Sequence, residues 1–117
     1  ITVETYNVRI TEDNAEQLLK SVDIICEAFD DAESKAMLTN LVLEKMPSKY
    51  LVVSSGMAGM GSANTIKTRR GSKKLYICGD EVSDVNVEGS LVSSRVMICA
   101  AHQAHTTLRI LAEQFET

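Results

Sequence analysis

Two aspartates that close an apolar run, Asp30 and Asp31, are the residues of this chain best placed to do chemistry. They follow VDIICEAF (22–29) and stand about one helical turn before Lys35. The run is nearly continuous in apolar residues, as a strand covered by helices on both faces should be, and ligands of open α/β sheets gather at the carboxyl ends of such strands. A carboxylate at that edge can hold Mg²⁺. A structural reading stands beside the chemical one: Asp30 with Glu33 also forms a capping box, and acidic residues in a first helical turn are ordinary.

Other residues invite chemistry that their context weakens. Gly56-Met-Ala-Gly59-Met-Gly61 follows a strand-like run, and glycines let backbone N–H groups approach an anion. Its spacing reverses G-x-G-x-x-G, and the SANTIKTRR after it reads as extended, not as the helix whose N-terminus would bind a phosphate. The segment therefore reads as a mobile loop beside a site. Cys78, in LYICGD, lies between a strand and a Gly-Asp turn and is the one thiol placed to carry sulfur or an acyl group, although no neighbour in sequence lowers its pKa. Cys26 and Cys99 read as inert core residues. His102 and His105 share a helix face, yet two ligands do not make a zinc site. Lys67, Arg69, Arg70, Lys73 and Lys74 form a basic cluster that reads as a solvated strand face, and secondarily as a dock for an acidic partner or a phosphate.

The elements that must position these residues follow from periodicity. ITVETYN (1–7) alternates as a strand, and Asn14 with Gln17 marks the start of a short helix to about residue 20. The apolar run 22–29 is a strand. Residues 31–46 carry apolar side chains near helical spacing, with Asp30 as cap and Pro47 beyond the end. LVVSS (51–55) is a further short strand, so the alternating order predicts an α/β fold with a parallel sheet. NTIKTRR (64–70) and KKLYICGD (73–80), separated by Gly71-Ser72, predict two extended segments or a hairpin. Residues 79–90 read as a loop. From Leu91 a helical pattern runs to about Phe115 through Val92, Val96, Ala100, Ala104, Leu108 and Leu111. Its middle, VMICAA, is apolar all round, which predicts a helix buried on more than one side and hence self-association, as a homodimer.

Composition narrows the function classes. The formal net charge is −4 with no long run of either sign, which gives no support to nucleic-acid or anionic-membrane binding. Three widely spaced cysteines without a C-x-x-C pair suggest neither a disulfide framework nor structural zinc, and a reducing cytoplasm is the expected location. No apolar run reaches the roughly 18 residues of a membrane span. Ile1 stands where an initiator Met is expected, within a strand-like pattern, so the expectation is a single domain, 1–117, that begins inside a longer protein.

Read together, IICEAFDDAESKAML (24–38), YLVVSSGMAGMGSANTIKTRR (50–70), LYICGDEVS (75–83) and SRVMICAAHQAH (94–105) resemble the ThiF branch of the ThiF/MoeB/HesA adenylyltransferases over nearly the whole chain. The resemblance is most specific at Phe29-Asp30-Asp31-x-x-x-Lys35, against the family's D-N-x-x-x-R, and in the S-G-M-A-G and I-C-G-D segments of its small, zinc-less subgroup. Asp31 departs from the usual Asn, and Lys35 from Arg. The resemblance implies the C-terminal half of a Rossmann-like, ubiquitin-activating-type adenylation domain: a mostly parallel sheet flanked by helices, with a β extension and a long C-terminal helix. It implies an enzyme that spends ATP to adenylate the C-terminal glycine of a ubiquitin-like sulfur carrier, ThiS-like, for thiamine biosynthesis. Asp30 would be the catalytic, Mg²⁺-holding residue, and Asp31 and Lys35 would join it in binding the cofactor. Cys78 is the only placement for a sulfur-handling thiol, and no zinc is implied. The family's phosphate loop, ATP-binding Arg and Lys and ribose-binding acid have no counterpart in these residues, so the fragment alone is expected to be inactive. Two alternatives remain open: a non-catalytic partner subunit, and another Rossmann-type nucleotide enzyme such as the distal half of a dehydrogenase.

Overall fold

The computed structural model describes residues 1–117 as an α/β arrangement around one four-stranded sheet. Strands β1 (Ile24–Cys26), β2 (Tyr50–Ser54) and β4 (Leu75–Gly79) run parallel, and β3 (Lys67–Ser72) pairs antiparallel with β4, giving the order β1-β2-β4-β3. The hairpin expected across Gly71-Ser72 is therefore β3–β4, with an irregularity between Arg70 and Ser72. Helix α1 (Ala15–Leu19) precedes β1, α2 (Ala32–Lys45) joins β1 to β2, α3 (Val85–Glu88) is a single turn inside the expected loop, and α4 (Ser93–Leu111) closes the chain.

The apolar runs LVV and LYIC supply the sheet interior, because a strand with helices over both faces must be apolar on both. One core layer joins Ala15, Ile25, Leu38, Val42, Leu51 and Val53 beneath α2. The other joins Val52, Ile66, Tyr76, Cys78, Cys99 and Ile110 beneath α4. No helix is long and apolar enough to cross a membrane.

Three local expectations fail for identifiable reasons. Residues 1–11 form no strand: no neighbour pairs with them, and Ile1, Val3, Tyr6 and Val8 are exposed. Alternation alone cannot hold an unpaired strand in water. Asn14 does not cap α1; its side chain accepts from the Thr11 amide at 2.8 Å and donates to the Arg9 carbonyl at 2.9 Å. In α4 the buried face is Arg95, Cys99, Gln103, Thr106 and Ile110, while Met97, Ala100, Ala104, Leu108 and Leu111 face outward. Gln103 and Arg95 point inward because both find partners there: Gln103 Nε2 donates to the Glu27 carbonyl at 2.8 Å, and Arg95 binds three segments, at Ala58, Thr65 and Asp80.

Candidate active site at the carboxyl edge of the sheet

A cleft of about 370 Å³ opens where β1, β2 and β4 end, at the sheet edge where open α/β folds place their ligands. Asp30, Lys35, Ser54 and Gly56 line it on one side, and Glu81 and Ser83 on the other. Asp30 is exposed on the cleft wall, and none of the chain's five ion pairs uses it. The capping role expected of Asp30 falls instead to Asp31, which takes extended φ/ψ and accepts from the Ser34 amide at 3.1 Å. The hydrogen bonds from Ser34 hold the Asp31 carboxyl below its usual range. Asp31 does not line the cleft, so the expected pair divides into one capping and one cleft carboxylate.

Lys35 reaches the cleft floor through a partner that sequence reading missed. Its Nζ donates to Glu27 Oε2 at 2.8 Å and to Ser54 Oγ at 2.6 Å. Glu27 is fully buried just beyond β1, and its Oε2 also accepts from the Phe29 amide at 2.7 Å. A buried carboxylate persists only when paired and hydrogen-bonded, and Glu27 meets both conditions. It fixes the turn that carries Phe29 and Asp30 and ties Lys35 on α2 to the end of β2. The available signal was a lone acid inside the apolar run IICEAF.

The far wall is set by a close crossing of two loops. The Ser55 amide donates to the Cys78 carbonyl at 2.8 Å, the Asp80 amide to the Gly56 carbonyl at 2.8 Å, and the Glu81 amide to the Ser55 carbonyl at 2.9 Å. A Cβ on Gly56 would stand 2.1 Å from Asp80 Oδ1, and one on Gly79 would stand 1.8 Å from the Ser55 carbonyl oxygen. Both glycines have positive φ, +82° and +137°. Glycine is required here by close backbone approach, not by phosphate binding.

Arg95, on the first turn of α4, locks this crossing. Its Nη1 donates to the Ala58 carbonyl at 2.8 Å, and its Nη2 to Thr65 Oγ1 at 2.9 Å and Asp80 Oδ2 at 3.0 Å. The Arg95 and Asp80 side chains are 5% and 7% exposed. The Gly59 amide adds a bond to the Ser90 carbonyl at 3.0 Å, so the segment expected to be a mobile loop is pinned at both Ala58 and Gly59.

The remaining expected site residues lie elsewhere. Cys78 is completely buried in β4 and not exposed as expected, and burial pushes its thiol pKa up. Cys99 is likewise buried and pushed up to about 11, whereas Cys26, expected in the core, is exposed on β1. Much of the basic cluster is tied down: Arg69 makes a bidentate pair with Glu81 at 2.8 and 2.7 Å, Arg70 donates to the Phe115 carbonyl, and Lys74 donates to the Ser48 carbonyl.

No curated protein and no solved structure matches this chain. The ThiF family, of adenylyltransferase-type, ATP-using enzymes, matches over residues 1–117. The carboxyl-edge cleft, the mostly parallel sheet and the whole-length match give one conclusion: the chain belongs to the ThiF family.

Proposed function

We propose that this chain serves the ATP-dependent adenylylation of the C-terminal glycine carboxylate of a ubiquitin-like sulfur carrier, ThiS-like, in thiamine biosynthesis in the cytoplasm. The observation that carries the reading is the unpaired Asp30 carboxylate on the cleft wall at the carboxyl ends of three parallel strands. The cleft chemistry fits Mg²⁺: one free carboxylate, with water and phosphate oxygens completing the shell, is the usual manner of holding it beside a nucleotide. When bound, the metal would neutralise charge between the carrier's carboxylate and the α-phosphate. Asp30 would hold that ion. Glu27 keeps the Asp30 turn in place through the Phe29 amide, and Lys35 presents a cation whose position the Glu27 and Ser54 contacts fix.

The reading includes a longer parent chain that contributes the phosphate-binding half. The outer edge of β1 supports it, since β1 pairs only with β2 and leaves a row of backbone groups open to further strands. It also includes a homodimer through α4, supported by its outward apolar seam.

The test is ATP–pyrophosphate exchange by the parent chain with a Gly-Gly-ending carrier, comparing wild type with Asp30→Ala. Carrier-dependent exchange in the wild type that falls by at least about 100-fold in the variant is expected for loss of a metal-holding carboxylate. A folded, ATP-binding parent with no exchange on any carrier would overturn the enzyme reading in favour of a non-catalytic partner subunit.

A further inference from the structure

A cavity larger than the carboxyl-edge cleft lies elsewhere in the molecule. A space of about 540 Å³ lies between β3, the C-terminal half of α4 and the tail after it, and shares no lining residue with the cleft. That volume is within the range of small-ligand sites. Thr68 comes from β3, and His102, His105, Thr106 and Arg109 come from successive turns of α4. His102 Nδ1 is fixed by Thr68 Oγ1 at 2.8 Å, which leaves its Nε2 unassigned. The sequence shows these groups only as a helix pair of histidines and a basic stretch; the fold brings them together.

The chain itself shows what this wall accepts. Arg109 Nη2 holds the Glu116 carboxylate at 2.6 Å, and Gln114 Oε1 takes a bond from Nη1 at 3.1 Å. The two partners differ in how firmly they are held: the Glu116 side chain is 76% exposed and that of Arg109 only 29%. The tail is anchored one residue earlier, where Tyr76 Oη and Arg70 Nη1 both donate to the Phe115 carbonyl and the Phe115 ring stacks on Tyr50 at 5.4 Å. The Glu116 carboxylate can therefore leave Arg109 without unseating the tail, which Arg109 Nη2 also holds through the Glu116 carbonyl at 2.9 Å. An exposed pair of this kind is worth little, so a competing oxyanion delivered with its own contacts in the cavity can displace it.

We propose that this cavity binds a small organic oxyanion, a carboxylate or a phosphate monoester, whose charged head replaces the Glu116 carboxylate on Arg109 and whose body lies along His102 and Thr106. The guanidinium fork suits either head group. The site does not depend on the adenylylation reading, because its residues and its test are separate from the carboxyl-edge cleft.

The experiment is an NMR titration of the chain with benzoate and, separately, phenyl phosphate, to on the order of 10 mM, where weak small-ligand sites saturate. Saturable shifts are expected at the Thr68, His102, Thr106 and Glu116 amides and none at Asp30 or Ser55. The tighter of the two probes identifies the head group. Glu116→Gln removes the internal competitor and should tighten binding by about two- to five-fold, a gain that misfolding cannot produce. Arg109→Met should abolish the shifts. Absence of saturable shifts with both probes, or an affinity unchanged or weakened in Glu116→Gln, would overturn the proposal.

Discussion

The Asp80 carboxylate accepts from the Val82 and Ser83 amides, the Ser83 hydroxyl and Arg95 Nη2, and so carries the loop after β4 and the first turn of α4 on one side chain. Burial alone would raise its pKa, but the Ser83 and Val82 bonds and the Arg95 charge outweigh it and hold the carboxyl below the usual range. A carboxylate with a lower pKa folded than unfolded gives stability that is complete above its unfolded value, about 3.9, and is lost as pH falls through the folded value. Stability should therefore decline as pH falls below about 4, and Asp80→Asn, already weaker at neutral pH, should show a shallower acid decline in urea titrations at stepped pH. Removing the partner is the harsher change. Arg95→Met leaves a buried carboxylate unpaired and should cost about 3–5 kcal/mol, read from the urea midpoint at pH 7.

Elements meet the site through their ends. Helix α2 begins at the Asp31 cap, one residue after the cleft carboxylate. Asp31→Ala should lower the thermal midpoint by circular dichroism, while Asp30→Ala should leave it unchanged, because only Asp31 serves the helix. Equal losses in both variants would contradict that division. The ends of β2 and β4 are held together by the crossing at Gly56 and Gly79. Gly79→Ala must move the Ser55 carbonyl as well as bear positive φ, so a loss above about 3 kcal/mol is expected, with the Asp80 loop displaced.

Across the whole molecule, α4 has two unlike faces. Met97, Ala101, Ala104, Leu108 and Leu111 recur at spacings of four and three along its outer side, which is the spacing of a helix–helix seam. In an antiparallel pair centred on Ala104, Met97 would meet Leu111 of the second copy, and the small Ala100 would meet the large Leu108. The homodimer reading predicts that Leu108→Glu weakens self-association by at least about ten-fold in sedimentation equilibrium, with the circular dichroism spectrum unchanged. A wild-type chain that stays monomeric at high concentration would remove that reading.

The sequence by itself determined the order of elements from α1 onward apart from α3, the parallel α/β class, the two extended segments that become β3 and β4, and the position of Asp30 beyond a strand's carboxyl end. These are local properties: period-two and helical spacing, turn residues and an apolar run bounded by polar ones are readable wherever they occur. Tertiary structure decided what depends on partners far along the chain. Residues 1–11 alternate like a strand, but no neighbour accepts their backbone bonds. Helix α4 turns Arg95 and Gln103 inward, against its apolar pattern, because Gln103 meets a carbonyl 76 residues away and Arg95 meets Asp80, Ala58 and Thr65. Buried Glu27 and half-buried Lys35 become one ion pair for the same reason. Burial of a polar group is favourable only where donors and acceptors converge, and that convergence is a property of the assembled fold, not of the local pattern.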